Sequence, residues 1–254
     1  MRLKIYILLA FCYLTLHLQS CKKAPAHALE KVQSTTISVD KNTPEDSSIV
    51  QFIAPYKTRV DTEMDSTLAY SPKSLSKKDS KYNTAIGNMM ADAVFEMANP
   101  IFASRTGYPF NAVLLNYGGI RAILPEGDIT TRTAYEIMPF DNEVVVVELS
   151  GIQMKELFTY LSAGKAHPIS NLQLILGEDN VIKEALVQGE TLIDNETYFI
   201  ATSDYLQSGG DNMTFLGKPV SILPLDYKIR NVLIDYFKKE DTIAPVRDRR
   251  FIKE

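Results

Sequence analysis

The chain has 254 residues, 45% of them hydrophobic, and a formal net charge of −4. That is enough apolar material for one domain with a sizeable core. The mild acidity, with no strong block of one sign, argues against nucleic acid as a dedicated partner, since that usually needs a basic face.

Residues 1–20 read as a targeting segment. Arg2 and Lys4 form a basic start, and Ile5 to Leu16 is an apolar run of a dozen residues. A membrane-spanning helix takes about 20. Leu18-Gln19-Ser20-Cys21 resembles a bacterial lipobox, in which the cysteine is lipidated and becomes the mature N-terminus; the other reading is an ordinary secretory signal. Cys12 lies inside the signal, which leaves Cys21 alone and allows no intramolecular disulfide. A lipid on Cys21 implies a bacterial envelope protein, anchored to a membrane and facing the periplasm or the outside. Residues 21–47 are rich in Lys, Ser, Thr, Asp and Pro, and read as a flexible tether. The folded domain is expected over 48–254.

Ile49, Val50, Phe52, Ile53, Tyr56, Val60 and Met64 recur at helical spacing, with Pro55 as a kink or a first-turn residue. Leu68 to Tyr70 suggests a strand, and Ser71 to Lys81 a polar loop with four lysines. Thr84 to Asn99 is the clearest helix, capped by Asn83 or Thr84 and ended by Asn99-Pro100. Strands follow at Ala112 to Leu115, Asn142 to Leu149 and Thr197 to Thr202. Helices are expected at Thr131 to Met138, Gly151 to Leu161 and Asp226 to Lys239. Leu172 to Leu176 and Val181 to Val187 pair as a hairpin around Gly177-Glu178-Asp179-Asn180. Ser203 to Phe215 is a loop, and Arg250 to Ile252 a last edge strand. Such irregular alternation predicts an α+β fold, a mixed β-sheet flanked by helices.

The stretch from Leu114 to Asn142 organises the rest. Asn116-Tyr117-Gly118-Gly119-Ile120-Arg121 follows an apolar run. Gly118 and Gly119 can take positive φ and admit a ligand close to the backbone, and Arg121 can fork onto a phosphate or pair with Glu126 or Asp128. Phe140 follows Pro139 at the mouth of a strand. These motifs, with Gly127-Asp128-Ile129-Thr130, Pro139-Phe140-Asp141-Asn142, Thr84 to Ala93, Leu149-Ser150-Gly151 and Ser208-Gly209-Gly210-Asp211, resemble the C-terminal domain of the 5′-nucleotidase and UDP-sugar hydrolase family. The resemblance runs from about Phe52 to about Glu240. Tyr117 replaces the family's glycine. Tyr205 stands for a phenylalanine, Asn212 for a glycine, and Ser80, between Lys78 and Lys81, for an arginine.

The resemblance implies a substrate site of Asn116, Gly119, Arg121, Phe140, Asn142, Tyr205 and Asp211. Phe140 and Tyr205 would clamp a nucleobase, and Asp211 would accept the ribose hydroxyls. Asn116 and Asn142 would lie near the base, and Arg121 near the phosphates. The bare alternatives are core packing for the rings and a plain turn for Ser208 to Asp211. Gly87 would allow the Thr84 to Asn99 helix close approach beneath that site. Full-length members carry a metallophosphatase domain with two metals, and none of its metal-ligand motifs occurs in the 254 residues. The expectation is therefore no catalytic residue, metal ligand or cofactor on this chain. His17 and His27 precede the domain, and His167 alone cannot build an imidazole-rich two-metal site. The two divalent metals would sit on a partner metallophosphatase acting with this nucleotide-binding half. The rivals are a non-catalytic nucleotide- or nucleoside-binding lipoprotein and a degenerate scaffold, the last disfavoured by the retained site residues.

Overall fold

A computed structural model describes Ile5 and residues 31–254. The expected signal, Cys21 and the first part of the tether lie outside the described residues. Among the described residues no helix is long and apolar enough to cross a membrane. Residues 31–46 form no helix or strand.

Helix α1 spans Ser47–Met64 with Pro55 well inside it, neither in its first turn nor ending it. The helical spacing there suggests a buried stripe, yet none of its residues is buried. Phe52 and Tyr56 stack on each other with centroids 5.9 Å apart, both exposed. The helix is held instead by its polar side, where Asp61 and Asp65 pair with Arg132 at 3.1 and 2.6 Å.

Strand β1 (Thr67–Ser71) pairs antiparallel with β3 (Gly127–Thr130), a strand that turn chemistry hid in the sequence, and β3 leads directly into the expected short helix, α3 (Thr131–Ile137). The loop after β1 is more than polar. Leu75 is buried and exchanges both backbone hydrogen bonds with Leu124, at 2.8 and 3.0 Å. Helix α2 covers Ala85–Thr106, capped by Thr84, whose side chain accepts from Gly87 N. The expected stop at Pro100 does not occur. The helix runs through the proline until Gly107 closes it in the left-handed region, at φ 90°. Burial of Phe102 beyond the proline, against Phe110 and Phe199, offsets the lost backbone bond.

The central sheet has five strands in the order β10 (Ser221–Lys228), β4 (Glu143–Ser150), β9 (Thr197–Ser203), β2 (Ala112–Leu114) and β5 (Ile169–Ser170). β9 runs parallel to β2 and antiparallel to β4. The first residues of β10 and all of β5 are strands the sequence pattern missed. β10 takes residues expected in a helix, and the helix α6 begins only at Ile229, ending at Lys239. Pro224 is tolerated because β10 is an edge strand. A second sheet orders β11 (Phe251–Lys253), β6 (Leu172–Leu176), β7 (Ile182–Val187) and β8 (Glu190–Thr191), with the expected hairpin between β6 and β7.

The central sheet is buried on both faces, which explains its continuous apolar runs. Val113, Val144, Val146 and Ala201 pack toward α2 and α6. Ala112, Leu114, Val147, Leu149 and Ile200 pack toward α4 (Gly151–Ser162) and the second sheet. The mixed sheets flanked by helices are the α+β fold that the sequence implies.

Candidate functional site

Strand polarity builds the site. β2 and β9 are parallel neighbours, so their C-terminal ends lie at one edge of the sheet. β4 is antiparallel to β9, with Val144 opposite Ser203, so its N-terminal end lies there too. Three loops meet at this edge: the glycine turn after β2, Pro139 to Asn142 before β4, and the segment after β9. Between them lies a cavity of about 240 Å³. Asn116, Gly119, Arg121, Phe140, Asn142, Tyr205 and Asp211 all line it, together with Gly118.

The glycine turn is a 3₁₀ turn over Tyr117–Gly119. Gly118 and Gly119 are not among the positive-φ residues. Their need for glycine is spatial: a Cβ on Gly119 would lie 2.8 Å from Asn116 Oδ1, and one on Gly118 3.2 Å from Asn116 Nδ2. The bare backbone lets the Asn116 side chain fold across the turn, where Nδ2 donates to Asp211 Oδ2 at 2.8 Å. Arg121 has no ion pair with Glu126 or Asp128 among the described residues; its guanidinium lies 5.6 Å from the centre of the Phe140 ring.

After β9 the chain is not the open loop its composition suggests. A four-residue helix, α5 (Asp204–Gln207), is capped by Ser203, and two 3₁₀ turns follow at Gly210–Asn212 and Thr214–Leu216. Asp211 and Asn212 take left-handed conformations, at φ 52° and 60°. Such short polar side chains tolerate that region, which is how Asn212 serves where glycine is usual. Tyr205 OH donates to Asp211 Oδ1 at 3.1 Å, and Tyr160 OH holds the Asp211 carbonyl at 2.9 Å. Each Asp211 carboxylate oxygen thus accepts one bond and keeps a lone-pair direction for a ligand hydroxyl. Phe140 is 39% exposed and Tyr205 45%, so neither ring is core.

Three supports escaped the sequence reading. Asp204 Oδ1 accepts from Asn142 Nδ2, Glu143 N and Tyr205 N at 2.9, 3.2 and 2.7 Å, and so stitches two of the loops together. Arg230, on α6 with its side chain only 9% exposed, donates to Asp141 Oδ1 at 2.6 Å and to the Phe140 carbonyl at 3.4 Å, and lies 4.1 Å from the Tyr135 ring centre. The Arg230 bond holds the Asp141 carboxyl below its ordinary range. Nothing in the spacing marked Arg230, which sits inside an apolar helix pattern. His167 is buried, and its Nδ1 accepts from Tyr117 N at 3.3 Å, so the imidazole supports the glycine turn. Burial pushes its pKa down to about 4.

Gly87 approaches Pro168, 3.6 Å from its would-be Cβ, and does not line the cavity. Among the described residues no group of three His, Cys, Asp or Glu side chains converges to hold a metal.

The family model described as "5'-nucleotidase, C-terminal domain" matches residues 62–218. A curated apyrase from Tabanus yao is 26% identical over 82% of this chain and 42% of its own length. The trifunctional nucleotide phosphoesterase protein YfkN of Bacillus subtilis is 24% identical over 83% of this chain and 15% of its own. The chain therefore spans less than half the length of these relatives. Among solved structures, a 5′-nucleotidase precursor from Thermus thermophilus superposes with a TM-score of 0.68, at 23% identity, over 83% of this chain and 44% of its own. With more than half of its residues matched by the family model, the chain belongs to the 5′-nucleotidase C-terminal domain family.

Proposed function

We propose that this chain is the nucleotide-recognition half of a 5′-nucleotidase, acting in nucleotide catabolism with a metallophosphatase polypeptide that supplies the chemistry in trans. The observation that carries this reading is the cavity itself, where two half-exposed aromatic rings and one hydrogen-bonded carboxylate line the same small space. A base stacked on a protein ring gains about 1–3 kcal/mol. The Asp211 carboxylate is arranged to accept the two hydroxyl protons of a ribose. At about 240 Å³ the cavity lies below the roughly 300–1,000 Å³ of a drug-sized site. It suits a base and part of its sugar, with the phosphates outside.

The two divalent metals that the family's hydrolysis uses do not fit this donor set. The one histidine of the folded domain is buried, with Nδ1 already engaged. The metals belong on the partner, and this chain would present the nucleotide to them. Lipidation of Cys21, with residues 21–47 as tether, would hold the pair at the bacterial envelope.

Calorimetry of the soluble domain with adenosine and AMP, with and without a candidate metallophosphatase, tests the reading. Adenosine should bind to the domain alone, and phosphate should be released from AMP only with the partner. Asp211→Asn should weaken adenosine more than its 2′,3′-dideoxy analogue, since only the former offers both hydroxyls. Failure of adenosine and AMP to bind would sink the proposal, and binding without hydrolysis alongside any partner would favour a capture protein. Cys21→Ser should move the protein from the membrane to the soluble fraction.

A further inference from the structure

Helix α1 turns a row of apolar side chains to solvent. Ile49, Ile53, Tyr56 and Val60 follow one another at spacings of four, three and four residues. At about 100° per residue they fall within an arc of roughly 60°, with Phe52 at its edge. Their exposure runs from 45% at Ile53 to 71% at Phe52. Single exposed apolar residues are ordinary, but a continuous row of five on one helix marks an interaction surface. The far side of α1 holds it to its own domain. Asp61 and Asp65, which bond Arg132, lie about 130° round the helix from the row. The row therefore points away from that attachment, and among the described residues nothing in this chain buries it.

Spacings of three and four are those of a helix that pairs with another helix, each side chain entering a hole across the seam. The row is also complementary to itself. Set antiparallel to a second copy, Ile53 faces Tyr56 of the partner subunit, and Ile49 faces Val60 of the partner subunit. That pairing has two-fold symmetry, so a single contact closes the assembly. Arg59, whose pairing with Glu63 is solvent-exposed, then lies beside Phe52 of the partner subunit, where a guanidinium is attracted to the ring face. A parallel pair would instead set Glu63 against its own copy. A lipid surface fits less well. Interfacial helices carry Lys and Arg on their polar side, whereas Asp61, Glu63 and Asp65 crowd the end of α1, in a chain of net charge −4.

We propose that α1 is a dimerisation helix, whose apolar row packs antiparallel against the same row of a second copy of this chain. Two such rows remove on the order of 1,000 Å² from water, the lower bound of a specific interface. The dimer is therefore reversible and forms in the micromolar range. It does not rest on the nucleotide reading above, because α1 contributes no residue to the cavity.

The test is sedimentation velocity of the full chain over the micromolar range. Every sample carries Cys21→Ser, which rules out an acyl anchor, and a second arm adds vesicles of phosphatidylethanolamine and phosphatidylglycerol. The parent chain should pass from monomer to dimer as its concentration rises. Tyr56→Glu puts a carboxylate in the middle of the seam and should weaken the dimer at least about tenfold, whereas Tyr56→Phe should change it less than about twofold. Tyr56 is 65% exposed in the single chain, so the far-ultraviolet circular dichroism should not change. Ile53→Gln, a milder change in the same row, gives the same readout should Tyr56→Glu fail to fold. A monomer at every concentration overturns the proposal, and one that pellets with the vesicles assigns the row to lipid instead. A dimer that both substitutions leave intact also overturns it, since another surface would then hold the copies together. Calorimetry of the same samples with adenosine reports on the cavity separately: a dimer that binds no adenosine removes the nucleotide reading alone.

Discussion

The two aromatic walls of the cavity are held by different means. Tyr205 is fixed locally: its hydroxyl bonds Asp211 six residues on, and its ring lies against Gly210, where a Cβ would approach ring atoms to 2.5 Å. Phe140 is fixed from a distance, by Arg230 on α6, ninety residues away in sequence. A local support forms as soon as its segment folds, whereas a remote one exists only once α6 has docked. The Tyr205 wall should therefore fail only through its own neighbours, and the Phe140 wall through a residue that touches no ligand.

Both walls share a base, the glycine turn resting on His167. Its pKa of about 4 in the folded chain lies below the ordinary 6.5 because burial disfavours the charged ring. The unfolded chain binds that proton more readily between these values. The His167 contribution to stability is thus whole above about pH 6.5 and is lost as pH falls toward 4, by at most about 3 kcal/mol. Chemical denaturation from pH 7 to 4 should show this loss, and His167→Gln should flatten the slope. An unchanged slope in the variant would mean that other groups dominate the acid response.

Single-ring truncations sharpen the comparison next. Phe140→Ala and Tyr205→Ala should each cost about 1–3 kcal/mol of nucleoside binding, read by calorimetry. Folding stability should move far less than the roughly 3–5 kcal/mol of a core aromatic. A large loss of stability with unchanged affinity would make the rings structural. Gly210→Ala should act on the Tyr205 wall alone, since the methyl group drives the ring out. Overpacking of this kind costs about 1–3 kcal/mol, and nucleoside affinity should approach that of Tyr205→Ala.

The smallest expected effect is the most discriminating. Arg230→Met frees the Phe140 loop without touching the cavity. Reordering that loop on binding would cost about 0.5–1.5 kcal/mol, roughly a two- to tenfold weaker nucleoside complex. Combined with Phe140→Ala the two losses should not add, because the arginine acts through that ring. Full additivity would show that Arg230 acts elsewhere.

How much of this was legible beforehand differs from element to element. Helices α2, α4 and α6, strands β2, β4 and β9 and the β6–β7 hairpin stand out because their apolar spacing matches a helix or a buried strand. Pro100 misled, since local sterics argued for a stop while tertiary burial of Phe102 carried the helix onward. Strands β3 and β10 were hidden by Gly127 and Pro224, residues that only the pairing environment makes acceptable.

Patterning along the chain determined the fold class, because periodicity and turn chemistry are properties of neighbours in sequence; the residues of the cavity were named by the resemblance of their motifs to the 5′-nucleotidase C-terminal domain. Which strand ends share an edge was decided by the parallel pairing of β2 with β9, a long-range event that no local pattern encodes. The same holds for Asp204 and Arg230, and for the buried His167 under the glycine turn. Their bonds cross tens of residues and depend on orientation, which exists only after the elements have packed.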